Sequence, residues 1–402
     1  MTSQAIIAGG GIGGLACALS LARADMPSVL LEQAPAFAEV GAGLQLGPNA
    51  VRVLSDWGLM DALQACAAFP EALRVRDARS GASLGRLALG AMALVRHGQL
   101  YATLHRADLH ALLLHAVQRR ADAVQLRLSS RLAAYEESGG GVCARLEDGD
   151  SVKGDALIGC DGLWSRVRTQ MLGEQPTRAT GHLAYRGMVR AADLPPALRA
   201  NVVTAWLAPR LHVVHYPVKQ GDWFNVVAVV QGSLPAGDDP QAWTHDAHAS
   251  DLRRVLSSAC TELLTMVDAV ADWKLWALND RVPMQGAHEH ARGRVALLGD
   301  AAHPMRPYLA QGAAMAIEDA WTLGRLLQGT DEHASRDWPA LLARYAQTRW
   351  QRNARVQARS QRNGTIFHAS GPLRWGRNTA MTLLRERLLD NPWLYGGPPE
   401  PA

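Results

Sequence analysis

The chain has 402 residues, 48% of them hydrophobic and 19% charged, enough to bury a large core in two or three domains. Its formal charge of +4 is scattered, with no basic run interleaved with aromatics, which argues against a nucleic-acid partner. No stretch reaches roughly 18 uninterrupted apolar residues and the start lacks a basic n-region, so neither a membrane span nor a leader is expected and a cytoplasmic location is.

Arginine dominates the cations, the only lysines being Lys153, Lys219 and Lys274. Its forked donors suit carboxylate or phosphate recognition, while coding bias gives the same composition without any role. Cys17, Cys66, Cys143, Cys160 and Cys260 are odd in number and widely spaced. That pattern indicates neither a disulfide framework nor a zinc site and suits a reducing compartment.

The chain opens on an apolar strand, Ile6-Ile7-Ala8, running into Gly9-Gly10-Gly11-Ile12-Gly13-Gly14 and a helix over 14–24. In this GxGxxG pattern Gly9 permits the tight turn, Gly11 lets backbone approach a pyrophosphate and Gly14 lets helix pack on strand. The helix N-terminus then faces the anion. Ser28-Val29-Leu30-Leu31 reads as a second buried strand that carries Glu32 to an adenosine ribose. NAD and FAD both satisfy these features.

A glycine loop, Gly41-Ala42-Gly43-Leu44-Gln45, leads to a helix opening at Pro48-Asn49 and closing before Gly58. A helix over 106–120 returns to this first domain, and 124–153 reads as a short antiparallel meander. The continuous apolar run 156–160 is expected of a buried parallel strand and delivers Asp161-Gly162 at its carboxyl end, where open sheets bind ligands. From 178 to 280 alternation takes over, with strands over 184–189, 202–207, 212–218 and 223–230. The run 294–298 re-enters the first domain and ends at Asp300, and a helix over 311–327 follows. A long arginine-rich helix over 338–367 reads as a solvated cover for the sheet or a dimer contact, leaving monomer and homodimer open. The tail with Pro398, Pro399 and Pro401 is expected to be disordered.

Three segments now stand together: the glycine turn, Asp161-Gly162-Leu163-Trp164-Ser165-Arg166-Val167-Arg168, and Gly299-Asp300 with His303-Pro304. In order and spacing the chain resembles the FAD-dependent aromatic-ring hydroxylases, single-component flavoprotein monooxygenases, up to about residue 370. Gly41 to Leu46, Tyr185-Arg186-Gly187 and His303-Pro304-Met305 through Ala310-Gln311-Gly312-Ala313 resemble the branch with salicylate hydroxylase, 3-hydroxybenzoate 6-hydroxylase and 6-hydroxynicotinate 3-monooxygenase.

The resemblance implies an α/β fold: a glutathione-reductase-like, doubly wound FAD-binding sheet with an inserted mixed-sheet substrate domain and a C-terminal helical segment. The FAD-binding domain would take 1–75, 98–177 and 281–337, the substrate domain 76–97 and 178–280, and the helical segment and tail 338–402. FAD would be held by Gly9, Gly11, Ile12, Gly14, Glu32, Gln33, Gly43, Gln45, Arg106, Asp161, Asp300, Gln311, Gly312 and Ala313. A surface salt bridge is the other reading of Arg106, and an N-terminal cap, compatible with the flavin role, the other reading of Asp300. Asp161-Gly162 reads either as a capped helix start holding Ser165 and Arg168 or, as the resemblance implies, as a loop that also meets the nicotinamide cofactor. The start of the 311–327 helix would aim its positive end at the flavin pyrimidine ring. No second GxGxxG exists, which fits transient use of NADH or NADPH. The implied reaction reduces FAD, adds O2 at flavin C4a, and transfers the distal oxygen of the hydroperoxide to a small electron-rich ring.

On the substrate side, strand alternation puts His212, Val214 and Tyr216 on one face and Val213 and His215 on the other. His212 with Tyr216 is expected to hold or deprotonate a ring hydroxyl, since imidazole titrates near working pH. A reversed register would hand that role to His215. Tyr308 is expected at the flavin edge, where the resembled enzymes carry a histidine, or a glutamine one place earlier. His303 is expected to brace its loop. His288 and His290 flank Glu289 without a third ligand nearby, so no metal is expected. A flavin-dependent reductase or dehydrogenase, or a non-catalytic flavin-binding protein, is the alternative to a monooxygenase.

Overall fold

Strand Ala5–Ala8 is apolar on both faces, and it becomes the middle of a six-stranded sheet because each face has a layer to pack on. The computed structural model describes residues 4–37, 41–175, 177–234, 245–246, 249–328 and 336–400. The sheet order is Ala291–Arg292, Val295–Leu297, Ala156–Gly159, Ala5–Ala8, Ser28–Leu31, Val124–Arg127, parallel throughout except at the Ala291–Arg292 edge. Ile7, Leu30 and Ile158 point into a core built with helices Ile12–Arg23, Arg106–Gln118 and Gly312–Gln328. Their neighbours Ile6, Val29 and Leu157 point the other way, under an antiparallel meander and helix Arg166–Leu172.

Two local expectations change. The meander expected over 124–153 splits, because Val124–Arg127 pairs in parallel with Ser28–Leu31 and becomes an edge of the first sheet. Only Leu132–Ser138, Gly141–Leu146 and Ser151–Gly154 form the meander. The glycine loop contains a strand, Gly43–Leu46, antiparallel to Ala102–His105.

The second sheet has eight strands in the order His245–Asp246, Trp273–Asp280, Arg178–Arg190, Trp223–Gln231, Leu211–Val218, Val202–Ala208, Ala72–Asp77, Ser83–Ala88. Ala72–Asp77 pairs in parallel with Val202–Ala208, so the chain crosses into this sheet at residue 72, inside the segment expected to end the first domain at 75. One face of the sheet is sealed by helix Thr261–Asp268 over Val213, Phe224 and Trp273. The other faces the first domain. There Gly43 donates to Asn225 Oδ1 at 2.7 Å, and a Cβ on Gly43 would stand 2.9 Å from Tyr216 Cε2.

Helix Trp338–Phe367 is 30 residues long and buries a polar ridge. Arg349, Asn353, Gln357, Ser360 and Asn363 recur at helical spacing on the buried face. Gln357 donates to Pro304 O (3.1 Å), Ser360 to Arg306 O (2.5 Å) and Asn363 to Tyr308 O (3.3 Å), so the ridge grips the loop after Asp300. This corrects the solvated-cover reading. The tail is likewise packed through Tyr395: Arg352 donates to Trp393 O (2.9 Å) and Leu394 O (2.7 Å), and Leu394 and Tyr395 are buried. Pro398 and Pro399 follow this packed turn, and Pro401 lies outside the described residues.

At the centre of the ridge Arg349 donates to Asp319 Oδ1 (2.7 Å) and Glu318 Oε2 (2.8 Å), with all three side chains fully buried. Arg352 adds a forked contact to Glu318, 2.7 Å to each oxygen. Arg349→Met leaves Asp319 without its cation in a dry interior, where breaking a buried pair typically costs about 3–5 kcal/mol. Urea unfolding of the purified variant should show a loss of that order. A variant within about 1 kcal/mol of wild type would contradict this assignment.

Candidate active site

The first strand ends in Gly9, whose φ of 105° needs glycine, and a Cβ on Gly14 would overlap Gly9 O. Glu32 locks this turn: its Oε2 accepts from Gly10 N at 2.7 Å and its Oε1 from Ala34 N at 2.8 Å. Gly11 is the N-cap of the following helix and offers no side chain, so the first-turn N–H groups at Ile12 and Gly13 are left for a ligand. Gln33 is exposed at the rim, its Oε1 accepting from Arg131. Arg106 opens its helix with its side chain against Gly41, where a Cβ would come within 2.8 Å of Arg106 Cδ.

Asp161 Oδ2 accepts from Arg166 N (2.8 Å) and Val167 N (3.1 Å), and its Oδ1 accepts from Ser165 Oγ. These bonds cap the start of helix Arg166–Leu172. Arg168, one turn on, donates to Ala302 O (3.0 Å) and Glu289 (3.2 Å), which ties the Asp161 motif to the Asp300 turn. Asp300 is exposed at that turn and, among the described residues, takes part in no hydrogen bond or ion pair. It caps nothing, and its carboxylate stands 4.0 Å from where a Cβ on Gly312 would be.

Ala310 adopts a left-handed φ of 53° and turns the chain into helix Gly312–Gln328. Gln311 is buried; its Oε1 accepts from Asn49 at 3.0 Å, while its Nε2 and the Nδ2 of Asn225 have no partner. Buried amide donors are normally satisfied, so two orphans beside a helix start fit a polar, acceptor-rich ligand edge. With the glycine turn, Glu32 and Asp300, these residues fit FAD.

The substrate sheet behaves as alternation requires. Register places His212 opposite Val229, Val214 opposite Val227 and Tyr216 opposite Asn225, on the face toward the first domain. Val214 therefore separates His212 from Tyr216, whose Cα atoms stand about 13 Å apart along an extended strand. They stand on one face, as alternation requires, at the two ends of one row.

At one end, His212 Nδ1 shares a 2.9 Å hydrogen bond with His368 Nε2, and its ring lies 5.1 Å from Tyr308. Burial, and then His368 and His182 beside it, hold His212 well below the usual imidazole range. At the other end, burial pushes the Tyr216 phenol up, with Arg186 and a hydrogen bond from Gln45 opposing. Gln45 also accepts from Tyr101 Oη at 2.7 Å. Tyr308 is buried with its hydroxyl unpartnered, and Val227, Leu278 and Phe367 complete an apolar wall around it.

Arg186 projects from the neighbouring strand onto the same face, opposite Val227. Its guanidinium lies 4.8 Å over Trp276, its Nε is buried without a partner, and no described carboxylate pairs with it. Sequence reasoning quoted Arg186 without giving it a role, and missed His182, Asn225 and His368. Alternation along Arg178–Arg190 carries a signal for the first two strand positions, since His182, Ala184 and Arg186 share a face.

His215 points the opposite way, into the helix-covered core, with its ring 6.3 Å from Trp206 and both nitrogens unpartnered. His303 braces its loop, bonding Asp319 Oδ2 at 2.6 Å. Among the described residues His290, His303 and Asp319 come close enough for a metal, but their atoms are committed. His290 bonds Leu297 O (3.0 Å) and Asn353 (2.9 Å), and the Arg349 cation sits on Asp319.

Residues 2–360 match the family described as FAD binding domain, and the chain belongs to that family. It is a flavoprotein aromatic hydroxylase that uses FAD. It is 37% identical over 394 residues to a 3-hydroxybenzoate 6-hydroxylase of Polaromonas naphthalenivorans, covering 97% of this chain and 95% of that one. Identity to a 6-hydroxynicotinate 3-monooxygenase of Bordetella bronchiseptica is 34% over 361 residues, covering 89% and 90%. A salicylate hydroxylase in its substrate complex superposes with a TM-score of 0.82 at 28% identity, covering 98% of this chain and 96% of that one. No helix among the described residues is long and apolar enough to cross a membrane.

Two outcomes follow from this geometry. Glu32→Ala frees the Gly10 amide and removes a charged acceptor, which should weaken FAD retention by roughly 1.5–3 kcal/mol in equilibrium dialysis; unchanged retention would remove Glu32 from the site. Burial, with Arg76 nearby, lowers His215 to about 3. Between that value and the unfolded value near 6.5 only the unfolded chain takes the proton, so stability falls as pH drops through this window. His215→Leu should therefore gain about 2 kcal/mol relative to wild type on going from pH 8 to pH 5, read by urea unfolding at each pH. Hydroxylation should be little changed, and its loss would move the base from His212 to His215.

Proposed function

We propose that this enzyme hydroxylates a hydroxylated aromatic carboxylate, a hydroxybenzoate or hydroxypyridine carboxylate, using O2 with NADH or NADPH as transient reductant in the reducing cytosol. The observation that carries this reading is Arg186, a half-buried cation whose Nε is buried without a partner and which has no counter-ion among the described residues, on the same sheet face as His212. A partly desolvated charge without a counter-ion is costly unless a ligand pairs with it. A substrate carboxylate at Arg186 lays the ring across Val214 and Val227 and brings its hydroxyl to His212. Hydroxybenzoate and hydroxynicotinate, in the names of two relatives, carry those two groups.

Bound FAD supplies the electron transfer from reductant to oxygen and the activated oxygen itself. Gly9, Gly11, Ile12, Gly14 and Glu32 would hold its adenosine and pyrophosphate, and Gly43, Gln45, Arg106, Asp300, Gln311, Gly312 and Ala313 would hold the ribityl and ring portions. The start of the Gly312–Gln328 helix would stabilise negative charge at the ring. Tyr308, Phe367, Val227 and Leu278 exclude water. His212 takes the ring hydroxyl proton and raises electron density where oxygen is delivered, while Tyr216 orders the carboxylate end with Arg186.

Arg186→Gln should raise KM for hydroxybenzoates by roughly 10- to 150-fold, the worth of one charged hydrogen-bond pair. Phenols lacking a carboxylate should be unaffected, and an equal penalty on both would refute carboxylate recognition. His212→Gln should retain FAD and the ring but lose about 100-fold or more in hydroxylation. The ratio of hydroxylated product to NAD(P)H consumed, across a panel of hydroxybenzoates and hydroxypyridine carboxylates, decides the function.

A further inference from the structure

Helix Trp338–Phe367 contains a single glycine, Gly364, buried on its last turn. Glycine weakens a helix interior relative to alanine, so its presence there asks for a reason. Backbone freedom is not that reason. Gly364 has no left-handed φ, and its carbonyl accepts from His368 N at 3.2 Å, so the helical ladder passes straight through it. The reason is space. A Cβ on Gly364 would stand 2.9 Å from Tyr308 Cε2, 3.2 Å from Cζ and 3.3 Å from Cδ2, so its three nearest atoms all belong to one phenol ring. Non-bonded carbons rest at about 3.5–4.0 Å, and the ring would have to move.

Tyr308 has little freedom to do so. Its backbone lies in the turn Pro307–Leu309, where Asn363 donates to Tyr308 O at 3.3 Å and Ser360 to Arg306 O. The helix that carries Gly364 therefore also grips the turn that carries the ring. The ring fills the gap between this helix and the substrate sheet. Ala184 and Val229 pack against it, two residues that face each other in the sheet with His212 next in the same row. The His212 ring lies 5.1 Å away, and those of His182, Phe367 and His368 stand edge-on at 6.1, 6.1 and 5.7 Å. A methyl at position 364 would press the phenol off the helix and toward the face that carries His212, Val214 and Val227. The Tyr308 hydroxyl has no partner in this box, so the packing uses the bulk of the ring and not a hydrogen bond.

We propose that Gly364 is a specificity-determining residue: by offering no side chain it lets Tyr308 lie back against the helix, and so sets how wide an aromatic ring the pocket accepts beside His212. The position gauged is the one next to the ring hydroxyl. This rests on the reading that His212 meets that hydroxyl. Gly364 is a positioning residue, since it acts through Tyr308 and needs no contact with the substrate. Alanine there should select narrower rings while leaving the residues assigned to FAD and to the base in place.

The test measures dissociation constants by flavin absorbance in the FAD-loaded enzyme. Two ring pairs each differ by one methyl beside the hydroxyl: 3-hydroxybenzoate with 3-hydroxy-4-methylbenzoate, and phenol with 2-methylphenol. In Gly364→Ala the penalty for the methyl should grow at least about 10-fold over wild type, as one methylene in a confined apolar site is worth roughly 10- to 200-fold. FAD retention should not change. Tyr308→Phe keeps the ring, so Gly364→Ala should have the same effect in that background. Tyr308→Ala removes the ring, so the double variant should discriminate as Tyr308→Ala alone does. A wild-type methyl penalty in Gly364→Ala would overturn the proposal. So would an effect of Gly364→Ala that persists without the Tyr308 ring, because the clash would then lie elsewhere. Tyr308→Ala alone, which needs no change at 364, should lower the penalty below wild type, and an unchanged penalty there would also overturn the gauge. Failure of carboxylate recognition shows separately, as wild type binding the phenols as well as the benzoates, and the methyl penalty is then read on the phenols. A wild-type enzyme that binds neither pair would overturn the gauge and that reading together.

Discussion

The site depends on two adjacent carboxylates buried where no water reaches them. Glu318 and Asp319 survive there because Arg349 and Arg352 lie against them, two charges of each sign in one dry cluster. Burial opposes ionisation of Asp319, and His303 and Arg349 overcome it, holding the acid far below the usual carboxylate range. Each oxygen then has a second task. Asp319 holds Gly299 N and His303, which shapes the Asp300 turn. Glu318 accepts from Asn49, which in turn holds Gln311 at the helix start. The C-terminal helix supplies the arginines, so the loop after Asp300 is set by a segment some thirty residues further along the chain.

Much of this was legible along the chain. The glycine turn, the Asp161 and Asp300 motifs and the strand runs between them are local patterns, and local patterns survive into structure because periodicity and turn chemistry act over a few residues. The shared face of His212 and Tyr216 followed from alternation alone. What did not follow was distance along that face: Val214 fills the gap, and alternation is silent about whether two side chains serve one group or two.

The polar ridge was illegible for a different reason. Arg349, Asn353, Gln357, Ser360 and Asn363 recur at helical spacing, and that pattern is the signature of a solvated face. It is buried here because its partners are backbone carbonyls and carboxylates far away in sequence, none of which has a local signal. His368 was hidden likewise, at the end of a helix that begins thirty residues earlier, with its partner His212 on a strand far away in sequence. Tertiary partners decide whether a polar stripe faces water or protein.

Placing the charges side by side separates scaffold from function. In the clamp every buried charge is matched by an opposite one within 2.8 Å, and no functional group is left over. On the substrate face the balance is left open: Arg186 stands without an anion, Tyr308 without a hydrogen-bond partner, and burial holds the imidazoles of His182, His212 and His368 below their usual range. A fold can hold such a deficit only if stability comes from elsewhere, and the paired cluster behind the loop supplies it. Arg186 stands opposite Val227 and His212 opposite Val229, so the open cation and the imidazole lie within one residue pair of each other along a face whose middle, Val214 and Val227, is apolar.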